Sequence, residues 1–99
     1  MDELRTRRVA ESMREELSEL IRFELSDPRI QGVDVVDVIV SPDMRSADAL
    51  VIISGSEAEQ QAALEGLQAA RHYLRRNLMQ RIDLFRMPEI RFRLAAQLP

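Results

Sequence analysis

A helix that starts clearly and never clearly stops constrains this chain most. Ser56-Glu57-Ala58-Glu59 is a capping box, in which the Ser oxygen accepts a backbone N–H of the first turn and the Glu reaches back to the cap. Leu64, Leu67, Leu74 and Leu78 follow at i, i+3, i+10 and i+14, and the pattern runs on to Ile82. Residues 57–82 alone read as one helix of about seven turns. A chain of 99 residues has room for a single core, and so long a helix is unusual in it, so a bend is expected near the middle. Gly66 and the Ala69-Ala70 pair are where small side chains permit one.

The flanking segments limit what this bent helix can pack against. Residues 3–25 form an amphipathic helix with Val9, Met13, Leu17, Leu20 and Phe23 on one face, ended by Ser26-Asp27-Pro28. Residues 33–40, VDVVDVIV, form a β-branched strand; alternation puts Val36, Val38 and Val40 on one face and Asp37 and Ile39 on the other, with Asp34 and Asp37 on opposite faces. SPDMRS, residues 41–46, is a turn-rich link, and ADALVIIS, residues 47–54, is an antiparallel partner with Ala47, Ala49, Val51 and Ile53 on one side. After a loop from Asp83, PEIRFRL, residues 88–94, closes the series as a strand, with Ile90, Phe92 and Leu94 opposite Arg91 and Arg93. The order is α-β-β-α-(kink)-α-β: an α+β fold with helices on one face of a three-stranded sheet, expected as a single domain over residues 1–99 with a short tail at 95–99.

Absent residue types exclude much chemistry. Without Cys there is no disulfide, thiolate metal site or thiol nucleophile; without Lys there is no Walker A loop and no Schiff base. The longest apolar run, Ala49 to Ile53, is far too short for a bilayer, and the acidic Met1-Asp2-Glu3-Leu4 start is unlike a secretion signal, so a cytoplasmic protein is expected. His72 is the one imidazole, with no triad or ligand set around it, and Asp34, Asp37 and Asp43 read as solvated strand and turn residues rather than a metal site. No catalytic motif, cofactor or metal is expected.

The charge is segregated along the chain. Residues 1–70 carry seven Arg and fifteen acids, a charge of −8; residues 71–99 carry seven Arg and two acids, +5, and the two sum to the net −3. Arg71 and Arg75 share a helix face with Arg76 beside it, Arg86 follows in a loop, and Arg91 and Arg93 lie opposite the apolar side of the last strand. Planar guanidinium forks suit phosphate oxygens, though solvated helix arginines balanced by Glu of the first helix give the same pattern. Tyr73, inside the cluster, suits either a base stack or a half-buried position with a wet hydroxyl.

RTRRVAESMREELSELIRFELSDPRI, residues 5–30, resembles the first helix of the bacterial ribosome-binding factor A family, with its Arg8-Val9 pair and Asp27-Pro28-Arg29 ending. GVDVVDVIVSPDMRSADALVIISG resembles the family's hairpin, with the Ser41-Pro42-Asp43 turn before an Ala-led strand; LQAARHYLRRNL and PEIRF are similar to its later helix and final strand. The resemblance covers nearly the whole chain in order. It implies a type-II KH-like fold whose Gly-x-x-Gly loop is replaced by an interhelical kink, typically Ala-x-Gly, here Ala70-Arg71-His72. Further departures are Phe85 where the family often has Arg, and the ending Ala95-Ala96-Gln97-Leu98-Pro99 where it usually has an Asp-containing segment.

The resemblance implies a monomeric assembly factor that binds the immature 30S subunit and 16S rRNA near the decoding region. It would assist late maturation, including rRNA 5′-end processing, and leave before translation with the help of an assembly GTPase. Arg71, Arg75, Arg76, Arg86, Arg91 and Arg93 are the expected RNA contacts, with Arg5 and Arg8 flanking them and the kink presenting them. A protein-interaction module whose Arg-rich face meets an acidic partner, and a generic single-strand RNA-binding KH domain, are the alternatives.

Overall fold

The computed structural model describes residues 3–95. Helix α1 spans Glu3–Phe23, strand β1 Val33–Val40, strand β2 Ser46–Ile53, helix α2 Glu57–Ala69, helix α3 Arg71–Arg81 and strand β3 Glu89–Leu94. A short 3-10 turn, Pro28–Ile30, joins α1 to β1; Asp27 opens it by accepting the Arg29 N–H. The sheet order is β1-β2-β3, with β1 antiparallel and β3 parallel to β2. The parallel pair needs a crossover, which α2 and α3 supply. This is the α+β order expected of a type-II KH-like fold. Of the tail, only Ala95 lies within the described residues.

The core lies between the helices and one sheet face. Met13, Leu17 and Leu20 of α1 and Leu67, Leu74 and Leu78 of α2 and α3 are fully buried; they pack with Val35, Val38, Ala47, Ala49, Val51, Ile90 and Phe92. Three sequence expectations fail, one on α1 and two on β1. Phe23 is 70 % exposed, with the Arg22 guanidinium 5.9 Å from its ring centre, and Ile21 is buried in its place. On the helical wheel Phe23 lies only about 60° from Leu20, so angle does not set its exposure; it is the last residue of α1.

In β1 the register against β2 shifts between Val35 and Asp37, so Val36 is bulged out and exposed while Val35 takes the core position. The shift also overturns the separation of the two aspartates: Asp34 pairs with Ile52 and Asp37 with Leu50, both on the outer sheet face.

The links are closed by short polar networks. Ser41 Oγ donates to Asp43 Oδ1 at 2.7 Å, and the same oxygen accepts the Arg45 N–H, holding the Asp43 carboxyl below the usual carboxylate range. Met44 completes this turn at φ 65°. Before α2 the capping box is complete: Ser56 Oγ accepts the Glu59 N–H at 3.2 Å and Glu59 Oε1 accepts the Ser56 N–H at 2.8 Å. Gly55 sits beside it at φ 112°, and a Cβ there would meet Glu59 Oε1 at 2.7 Å.

Candidate nucleic-acid interface

The stretch expected to be one bent helix divides at Ala70, which has φ −90° and ψ 0°. Its N–H donates to the Gly66 and Leu67 carbonyls at 3.1 Å each, and its own carbonyl accepts the Leu74 N–H at 2.9 Å. The N–H groups of Arg71, His72 and Tyr73 therefore open a new helix rather than continue the old ladder, and no side chain among the described residues caps them. No residue of this junction needs the left-handed region, which among the described non-Gly residues only Met44 occupies. His72 therefore fits without a glycine's freedom, in the first turn of α3. Gly66, also considered for the bend, lies a turn earlier against the 3-10 turn; a Cβ there would stand 3.1 Å from Ile30 Cγ1. Its small size admits a close approach, not a hinge.

The structure divides the expected arginines into three groups. Arg71 and Arg76 are exposed on the first two turns of α3, and Arg86 is exposed in the loop before β3. Among the described residues none of these three is ion-paired to an acid; Arg71 Nη1 donates only to the Gln68 carbonyl, at 3.4 Å. An uncapped helix start beside cations favours anions electrostatically.

Arg75 is different. It is half-buried, its Nη2 donates to the Met87 carbonyl at 3.1 Å, and its buried Nε has no partner among the described residues. Instead of pointing outward with Arg71, it ties α3 to the loop entering β3. Together Arg71, His72, Arg75, Glu89 and Ile90 line a recess at the helix–strand seam.

Arg91 and Arg93 sit on the outer sheet face, turned from the helix layer, and both bond to Asp48, at 3.0 and 3.4 Å. The parallel register causes this by placing Asp48 directly beside Arg91. One carboxylate thus offsets half the charge of the pair, and the register sets Arg93 beside the buried Leu50. Arg5 and Arg8 are exposed on the first half of α1, the helix that packs on β1 at the sheet edge away from β3.

Sequence reasoning missed three features. Asp48 could not be matched to Arg91 and Arg93 before the parallel register was known. Arg81 bonds across to Glu16 and Glu19 of α1 at 3.0 and 3.3 Å, a pairing only the α1–α3 packing reveals. Phe85 is 102 % exposed; its departure from the usual Arg was the only signal. Tyr73 is half-buried against the core rather than freely presented. Among the described residues no group of three or more His, Cys, Asp or Glu could hold a metal ion, and no helix is long and apolar enough to cross a membrane.

Residues 5–98 match the family model described as ribosome-binding factor A. A ribosome-binding factor A from Solibacter usitatus is 48 % identical over 92 residues, 93 % of this chain and 75 % of that one. The crystal structure of ribosome-binding factor A from Thermus thermophilus superposes with a TM-score of 0.81 at 26 % identity, covering 90 % of this chain and 94 % of that one. A Thermus thermophilus homology model fitted into the cryo-electron microscopy map of a 30S complex gives 0.74 at 27 % identity, with the same coverage. With the order of elements, the divided helix and the identity all in agreement, the chain belongs to the ribosome-binding factor A family.

Proposed function

We propose that this protein is a small-subunit assembly factor that docks on 16S rRNA of the immature 30S subunit through the exposed start of α3. The observation that carries the reading is that a relative of the same fold was fitted into the map of a 30S complex. The unpaired Arg71, Arg76 and Arg86 around an uncapped helix start supply the chemistry, since each phosphate neutralised releases counterions. Arg91 and Arg93 contribute a weaker outer-face contact because Asp48 shares their charge. Arg75 acts by holding the loop that carries Arg86, and Arg5 and Arg8 serve as flanking contacts.

The role in late maturation and 5′-end processing requires no catalysis by this chain. Binding one rRNA arrangement more tightly than another shifts its population. Release then needs a competing event on the subunit, for which an assembly GTPase is the proposed partner. The protein acts as a monomer in the cytoplasm.

Sedimentation of the tagged protein with immature and with mature small subunits tests this reading. The expected result is preferential association with immature particles that is lost on nuclease digestion. Association that survives digestion would instead indicate an acidic protein partner and overturn the rRNA assignment.

A further inference from the structure

The loop between α3 and β3 is pinned at both ends and open at its crest. At its start, the Ile82 N–H bonds to the Leu78 carbonyl at 2.8 Å, and Leu84 packs against the core. At its end Met87 is 3 % exposed, Pro88 is fully buried, and the Met87 carbonyl accepts the Arg75 guanidinium. Between these anchors stand two residues, Phe85 and Arg86, both exposed. Phe85 is 102 % exposed, so among the described residues nothing covers its ring. Phe23, the other exposed phenylalanine, at least lies under the Arg22 guanidinium.

Holding a bare aromatic ring in water has no benefit to the fold, because the hydrophobic effect rewards only buried apolar area. The neighbour of the ring is informative. A ring beside an unpaired guanidinium is the pair that a single-stranded nucleotide engages, the base stacking on the ring and its phosphate meeting the cation. The loop's one carboxylate, Asp83, precedes the Leu84 anchor and lies outside the crest. The Arg75 bond fixes the crest to α3 one turn beyond Arg71, alongside the proposed backbone contacts.

We infer that Phe85 is a base-stacking residue: its ring stacks on an unpaired rRNA base while Arg86 holds that nucleotide's phosphate. This rests on the proposed rRNA docking and gives it a contact that is not electrostatic. The loop then reads the presence of an unstacked base, whereas Arg71 and Arg76 respond to backbone charge.

The test is binding to purified immature 30S subunits across a salt series, using wild type and Phe85→Ala, Phe85→Leu and Phe85→Trp. Phe85→Ala and Phe85→Leu are expected to bind about 5- to 150-fold more weakly with an unchanged salt slope. Phe85→Trp should bind as wild type; the chain contains no other Trp, so quenching of its fluorescence by the subunit reads the stack directly. Full-strength binding by Phe85→Ala overturns the inference while leaving the arginine contacts intact. Rescue by Leu also overturns it, because an apolar protein pocket accepts Leu and a base stack does not. A wild-type chain that fails to bind the subunit at all would remove the docking reading and this inference together.

Discussion

The Arg75 guanidinium reaches from α3 to the Met87 carbonyl, 3.1 Å away, and so joins the helix to the loop that leads into β3. Arg75 and Arg71 have the same spacing, the same charge and the same apparent helix face, yet only Arg71 remains free for a ligand. Arg75→Ala should destabilise the protein by about 1–3 kcal/mol, since it strips the buried carbonyl of a charged donor. Arg71→Ala should stay within about 0.5 kcal/mol of wild type. Urea denaturation of the two variants separates a structural from a binding arginine.

Gly66 meets the 3-10 turn closely enough that a Cβ would stand 3.1 Å from Ile30 Cγ1 and 3.3 Å from Asp27 Oδ2. Gly66→Leu should therefore cost about 1–3 kcal/mol through overpacking, although leucine is much the better helix former. Thermal melts would show it; a melting point at or above wild type would contradict the close approach at Gly66.

His72 occupies ordinary helical backbone. Exchanging it for the glycine more usual at this junction in the family should lower stability by about 0.5–1 kcal/mol, from the entropy lost on folding. If His72→Gly were the more stable protein, the backbone here would be strained.

Asp27, Asp43 and Glu59 are all held below their ordinary range, by hydrogen bonds from Arg29, from Ser41 and the Arg45 N–H, and from Ser56 respectively. A carboxyl whose pKa is depressed on folding contributes stability above its unfolded pKa, about 4, and loses it as pH falls through the folded value. Stability should hold steady above about pH 5 and decline below about pH 4. In a pH series of chemical denaturation, Glu59→Gln should shift the protein down at neutral pH and flatten part of the acid limb. Ser56→Ala removes the reciprocal cap and should cost about 1 kcal/mol.

What the sequence made legible was whatever local spacing controls. The capping box, the apolar face of α1 as far as Leu20 and the alternation of β3 all follow from periods of 3.6 and 2, and the structure repeats them. The bulge at Val36 was not legible, because an added residue leaves no mark on an unbroken β-branched run. The exposure of Phe23 was not legible either, since numbering puts it only about 60° from Leu20 and α1 ends at this residue.

The charge surface was legible as a composition and illegible as a map. Arg91 and Arg93 meet Asp48 from 43 and 45 residues away, and Arg81 meets Glu16 from 65 away, so pairing depended on topology. Among the described residues Arg71 and Arg76 form no ion pair, although Glu89 of β3 lines the same recess as Arg71.

The most direct measurement is the salt dependence of binding to immature 30S subunits by wild type and by the Arg71→Glu/Arg76→Glu double variant. Each phosphate contact contributes about 0.7 to 0.9 to the log–log slope, so the variant should bind more weakly and lose about 1.4 to 1.8 from the slope while melting as wild type. A correctly folded variant with the wild-type affinity and slope would contradict docking through the start of α3.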